Sequence, residues 1–355
     1  MKKLVSKIKA RKQPKEPVGR ITNDTLAEHR QKVLAGGRKF KYPIQYARHK
    51  LVINAAIIAS AALLLLVAVG WYLLYPAQNT SEFMYRTAKV VPVPVAKVDG
   101  QSVRYSDYLM IYRSDLHYLT EKELVDVSLE NGKERVNFLK KKAMDTALMN
   151  AYAEKLAKEH GITVSREEID TDIKYTRQAE GEEFSEATLS GVIADYYAWT
   201  MDEYRDVVEK KLLRQKVAYK VDNTARTIGA QITKAAKEGT SFADIATKLN
   251  VDKKDTVVYT PAAWVPKNNQ DGGLVDAAKK LEKGQTSDGI KTPGDGYYYV
   301  KLLDSNDSQV QYEYIFVPLT AFEAQLEKIK KENKIKYYIK LEEASDVALH
   351  SKKGE

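Results

Sequence analysis

At 355 residues, 44% hydrophobic and 30% charged, the chain is long and apolar enough for more than one compact domain and does not have the composition of a disordered polymer. Its net charge of +9 is uneven: residues 1–50 hold fifteen Lys or Arg against Glu16, Asp24 and Glu28, a net +12, so the rest sums to about −3 and global basicity is no sign of nucleic-acid binding. There is no cysteine, which excludes disulfides, thiolate metal sites and Cys nucleophiles, and His29, His49, His117, His160 and His350 hold no pair at metal-ligand spacing, so neither a metal nor a cofactor is expected.

The first segment, residues 1–50, is a basic tail with Pro14, Pro17, Gly36 and Gly37, which favours disorder with one short helix after Thr22. Two readings stand for it: attraction to anionic lipid, or contact with ribosome or translocon. Leu51 to Tyr75 follow without one charged side chain, long enough at about 1.5 Å per residue to cross a hydrocarbon core of about 30 Å. Trp71, Tyr72 and Tyr75 mark one end as an interfacial belt, and His49 with Lys50 closes the other. The segment is preceded by fifty residues, unlike a secretory signal peptide. The basic side belongs in the cytoplasm, so the expectation is a single-pass bacterial membrane protein with residues after 75 extracytoplasmic.

Residues 76–94, with the Pro-punctuated VVPVPV at their end (90–95), read as an extended spacer. Next comes a hairpin turning at Asp99-Gly100, then a helix capped by Ser106 with Leu109, Tyr112, Leu116 and Leu119 on one face. A long helix from about Lys133 ends at Gly161. Ser165 with Glu168 and Thr200 with Glu203 are capping boxes, stapled by Val164 and Ile169 and by Trp199 and Tyr204. Residues 95–220 are thus a helical domain. From 221 to 319 the pattern changes to short helices and strands, with VVY at 257–259, GYYYVKLLD at 296–304 and VQYEYIFVPL at 310–319, which makes a small α+β domain. Thr320 with Glu323 caps a last helix predicted to reach about Ala344, within a C-terminal segment 320–355.

VAKVDGQSVRYSDY at 95–108, AKEHGITVSREEID at 157–170 and YYAWTMDEYRDVVEKKLLRQKV at 196–217, in that order, resemble the N-terminal chaperone domain of SurA-type export foldases. GTSFADIATKL, Trp264, DGG, LEKGQTSDGIKT and GYYYVKLLD resemble a parvulin (PpiC-type rotamase) module, the arrangement of SurA, PrsA and PpiD. The resemblance implies a transmembrane helix plus an α-helical SurA-N-like domain and a small α+β parvulin-like domain, with the last helix packing back on the first domain. It also exposes departures. Parvulins open with a strand bearing a His-Ile-Leu core and end with a strand in which a second histidine follows Gly-Tyr; here the first strand is not visible after Val221 and Tyr298 stands at the second histidine position. VQYEYIFVPL is expected to fill the vacant first-strand place from the C-terminal side.

The implied function is a membrane-anchored chaperone that binds unfolded or newly exported polypeptides. Two alternatives accompany it: an active peptidyl-prolyl isomerase with a histidine-free pocket, and a non-catalytic scaffold for one envelope partner. Isomerisation needs only an apolar site with placed hydrogen bonds that favours the twisted amide, so histidine loss does not by itself abolish it. Tyr298, Trp264 and Leu274 are either remnants of that pocket or ordinary core and surface residues. Tyr112, Tyr196 and Tyr197, among twenty-three tyrosines, are either a cradle for extended peptides or helical packing.

Overall fold

The computed structural model describes residues 22–41, 43–179, 182–251, 256–291 and 295–342. It divides into two units, residues 1–72 and 73–355. In the first, helix α1 (Asn23–Lys41) precedes helix α2 (Pro43–Leu74). The helix foreseen after Thr22 therefore exists and is long. The apolar run forms the last part of α2, with His49–Leu74 apolar and long enough to cross a membrane. Proline opens α2 where its missing N–H costs nothing.

The second unit begins differently from the sequence reading. Residues 76–94 are not an extended spacer: α3 (Glu82–Val90) lies within them, its first turn capped by Ser81, whose hydroxyl accepts the Met84 N–H. Met84, Tyr85 and Ala88 share one face and are buried, so α3 belongs to the helical core. Strands β1 (Pro94–Val98) and β2 (Gln101–Arg104) then form the foreseen hairpin. Asp99 and Gly100 both take positive φ, 45° and 85°, a two-residue turn that suits this dipeptide.

Helix α4 (Tyr105–His117) starts before Ser106, which is buried in its first turn and caps nothing; the Tyr105 ring is drawn into the core and its hydroxyl donates to the Leu74 carbonyl at 2.6 Å. A π-helical turn (Tyr118–Lys122) leads toward α5 (Glu130–His160). Gly161, in the left-handed region at φ 64°, ends α5 as foreseen. Helix α6 (Arg166–Thr176) and a two-residue ladder, β3 (Gln178–Ala179) with β4 (Glu182–Glu183), lead to α7 (Glu186–Tyr197) and α8 (Met201–Val221). Both capping boxes form, Ser165 with Glu168 and Thr200 with Glu203.

The core of this domain joins α3, α4, α5, α8 and the hairpin, with Leu109, Leu148, Val98 and Val217 excluded from solvent. A smaller cluster, Ile173, Leu189, Ile193 and Val208, ties α6 and α7 to α8.

Helices α9 (Asn223–Lys237) and α10 (Phe242–Leu249) open the α+β domain. Strand β5 (Val258–Pro266), helix α11 (Leu274–Ala278) and strands β6 (Ile290–Lys291), β7 (Gly296–Ser305) and β8 (Gln309–Pro318) complete it. The antiparallel sheet has the order β5-β8-β7-β6. VQYEYIFVPL is therefore an interior strand, although last in sequence. Alternation along β7 and β8 supplies both faces with apolar residues: Tyr297, Tyr299, Ile315 and Val317 pack against α9 and α10, and Val300, Leu302, Val310 and Tyr312 against α11. Gly296 is required by a close approach, since a Cβ there would stand 2.1 Å from the Val317 carbonyl oxygen.

The chain then returns. Helix α12 (Ala321–Lys331) puts Phe322, Leu326 and Ile329 into the first core, and β9 (Ile335–Tyr337) pairs with β1, giving the order β2-β1-β9. This helix ends at Lys331, short of the predicted Ala344, which lies outside the described residues; the left-handed Asn333 (φ 53°) turns the chain into β9. Thr320 does not cap α12, because its backbone (φ −119°, ψ −18°) is not in the extended region a cap needs.

Candidate functional site

Two regions present apolar surface beside polar groups. In the helical domain, three adjoining cavities of about 550, 330 and 310 Å³ meet at Met110 of α4, which borders all of them. Met110 is held there because Leu109 and Tyr112, its neighbours along α4, face the core, and because the Trp199 indole N–H donates to the Met110 carbonyl at 3.4 Å. The α7–α8 turn, with Ala198 at φ 54°, places Tyr197 and Trp199 side by side, rings 4.9 Å apart and 18° from parallel. Together they line the second and third cavities.

Tyr85 of α3 lies between the first and second cavities, and its hydroxyl donates to Glu203 Oε1 at 2.6 Å. Burial of Glu203 works against its ionisation, but the Thr200 N–H, the Tyr85 hydroxyl and the Lys89 ammonium outweigh it and hold the carboxyl below its ordinary range. Glu154, on the wall of the largest cavity, is the opposite case. Burial, reinforced by the Asp107 charge, pushes its carboxyl above the ordinary range. Asp107 itself pairs with Lys210 at 2.7 Å across the same cavity.

The second region is the α11 side of the sheet. Across the four strands the register sets Ile290, Tyr298, Phe316 and Val258 in one row. Tyr298 packs on Phe316 (4.6 Å between centroids) and Tyr314 (5.6 Å), and its hydroxyl donates to Asp295 Oδ2 at 3.0 Å. Helix α11 covers only the other end of this face, where Leu274 is buried against Val300 and Tyr312. Tyr298 and Leu274 thus share a sheet face. Trp264 does not join them: it pairs with Gln311, whose place in the alternation of β8 belongs to the opposite face, and it is half exposed.

Among the candidate tyrosines the structure separates three environments. Tyr112 is 4% exposed and stacked on Tyr108, so it is core and not part of a cradle. Tyr196 is exposed, paired with the Tyr118 ring and the Lys122 ammonium, and borders none of the three cavities. Tyr197 alone of the three lines cavities, the second and the third.

Met110, Tyr85, Tyr314 and Phe316 were not singled out from sequence. For Tyr314 and Phe316 a signal existed, since in VQYEYIFVPL they sit two and four residues from Tyr312 on one strand face. Met110 carries no such signal, because the cavities it borders are walled by residues of α3, α5 and α8 that are distant from it in sequence.

Comparison with known proteins gives two family matches: a SurA-like N-terminal domain over residues 45–218 and a PPIC-type PPIase domain over residues 190–312. The first includes most of the apolar helix, and the two overlap through the end of α7 and most of α8. No curated protein and no solved structure matches the chain. The SurA-like match falls on the helical domain and the PPIC-type match on the domain with the antiparallel sheet, and this order of the two matches that of a SurA/PrsA/PpiD-like foldase.

Proposed function

We propose that this foldase is a membrane-anchored extracytoplasmic chaperone that binds unfolded or newly exported polypeptides in the clefts around Met110. Residues 51–75 serve as the anchor, the basic N-terminal side is cytoplasmic and associates with anionic lipid, and the rotamase-like domain contributes binding surface rather than turnover. The observation that carries the reading is the junction of three cavities at Met110. Its aromatic walls, from Tyr85, Tyr197 and Trp199, offer apolar faces, while charged pairs such as Asp107 with Lys210 stand beside them. Rigid aromatic rings next to polar groups bind varied extended segments at low entropic cost.

The test uses the full chain in lipid nanodiscs with a chemically denatured client diluted into it. Suppressed aggregation is expected, weakened several-fold in Tyr197→Ala, which removes exposed cleft wall and no core. No suppression by the wild type would sink the reading.

A second reading, prolyl isomerisation, is favoured by the Tyr298, Tyr314 and Phe316 cluster, whose partly exposed rings and the Tyr298 hydroxyl bond to Asp295 resemble an apolar site with a placed hydrogen bond. Cis/trans exchange of a short X-Pro peptide, tens of seconds or longer unaided, separates the two when followed by NMR with and without the protein. Faster exchange that Tyr298→Ala abolishes assigns an enzyme. Unchanged exchange with client protection leaves a chaperone, and neither activity leaves a dedicated scaffold.

A further inference from the structure

The third cavity, about 310 Å³ between α4, α5 and α8, has four cations in its lining, three of them paired with carboxylates and the fourth, Arg214, partly buried. Lys142 meets Asp115 at 3.2 Å, Lys210 meets Asp107 at 2.7 Å and Lys211 meets Asp172 at 3.0 Å. Arg214 meets a neutral amide: it donates Nη1 to Asn150 Oδ1 at 2.6 Å, and among the described residues no carboxylate pairs with it. Asn150 is itself 7% exposed, so the contact is enclosed on that side.

Burial disfavours the Arg214 cation, yet a guanidinium keeps its charge at any ordinary pH. A desolvated charge without a counter-ion is costly, and an anion supplied from the cavity would relieve it. The planar guanidinium has five donors, so after the Asn150 contact an edge remains that fits the two oxygens of a carboxylate. The same cavity is lined by Tyr197 stacked on Trp199 and by Met110, Ile111 and Val207.

We propose that this cavity binds a carboxylate carried on an apolar extended polypeptide, Arg214 holding the carboxylate while Tyr197 and Trp199 receive the adjoining apolar side chain. The proposal rests on the polypeptide-binding reading above and narrows it to a class of segment. The carboxylate belongs either to the end of a chain or to an Asp or Glu side chain; both present the same two oxygens.

The experiment measures binding of N-terminally labelled Leu- and Phe-rich nonapeptides to the full chain in nanodiscs by fluorescence anisotropy. Four peptides are compared, with a free or amidated C-terminus and with one central Glu or Gln. At least one carboxylate is expected to tighten binding about ten-fold over the amidated Gln peptide. A gain from the free terminus in the Gln background assigns chain ends, and a gain from Glu in the amidated background assigns side chains.

Arg214→Gln is expected to remove the preference for a carboxylate. Asn150→Asp supplies an internal counter-ion and is expected to remove the preference too; because it adds a pair rather than breaking one, it keeps the test decisive should Arg214→Gln fold poorly. Equal binding of all four peptides, or a preference surviving in both variants, would overturn the proposal while leaving polypeptide binding intact. No binding of any peptide would overturn both.

Discussion

Glu203 accepts from donors on three sides: the Tyr85 hydroxyl at 2.6 Å, the Thr200 N–H at 2.9 Å and, through space, the Lys89 ammonium at 3.6 Å. One residue therefore closes the capping box that starts α8 and fixes the cleft tyrosine on α3. Its carboxyl titrates below the ordinary range because these contacts outweigh burial. A carboxylate with a depressed folded-state pKa contributes stability that is present above its unfolded value and is lost as pH falls through the folded one. Glu203→Gln is expected to lower stability at pH 7 by about 1–2 kcal/mol, since one cap contact and one charge-assisted hydrogen bond are weakened. The gap between wild type and variant should shrink as unfolding is followed from pH 7 to pH 3. A gap independent of pH would show that Glu203 is not held ionised by these contacts. Glu154 has the opposite sign, and its raised carboxyl adds stability as pH falls, so the two residues are separable by the direction of their pH dependence.

At the scale of elements, the junction between the two folded domains of the second unit is held by Asp222, 1% exposed. Its Oδ1 accepts the Ala225 N–H at 2.8 Å and caps α9, while Oδ2 accepts the Thr320 and Ala321 N–H groups at 2.8 and 3.0 Å at the start of α12. Asp222→Ala would orphan one buried and two part-buried donors and is expected to cost roughly 2–4 kcal/mol. Asp222→Asn has one acceptor oxygen and can serve only one of the two helices, so amide hydrogen exchange should accelerate at either Ala225 or at Thr320 and Ala321, with the other site protected; protection of both would refute the shared cap. This device also shows where sequence reasoning stops. The boxes at Ser165 and Thr200 are legible because both partners lie within one turn, whereas the cap of α12 lies 98 residues upstream and the local candidate, Thr320, is unused. The candidate site divides along the same line. Tyr112 stands on one helical face with Leu109, Leu116 and Leu119 and is legible as core, whereas the place of Tyr197 depends on the turn at the left-handed Ala198 that lays it on Trp199. Polyproline character in VVPVPV likewise hid α3, whose signal is Ser81 ahead of a short apolar face.

On the scale of the whole second unit, the α+β domain is an insertion into the helical one. The chain leaves α8 at Asp222 and re-enters at Thr320, and the same carboxylate touches backbone on both sides of the break, so the two crossing points are neighbours. The strand that completes the inserted sheet, β8, leads directly into α12, which packs Phe322 on Tyr152 at 5.6 Å and is followed by β9 on β1. The helical core is thus completed by residues that follow the insertion, while the inserted domain has its own two apolar layers. Such an arrangement makes the insertion removable. Replacing residues 223–319 by a linker of about four Gly and Ser residues is expected to preserve one cooperative unfolding transition and client protection, because short closures between adjacent points are entropically inexpensive. The losses include the Asp222 bond to the Ala225 N–H at 2.8 Å and the Tyr219 contacts, among them a hydroxyl bond to the Gly296 carbonyl at 2.7 Å and a ring contact with Tyr297 at 5.1 Å. Circular dichroism with thermal melting, followed by the aggregation assay, checks both. A shortened chain that folds but no longer protects clients would move polypeptide binding from the Met110 clefts to the sheet face of Tyr298, and one that cannot fold would show that the inserted domain, not α12 and β9 alone, completes the helical core.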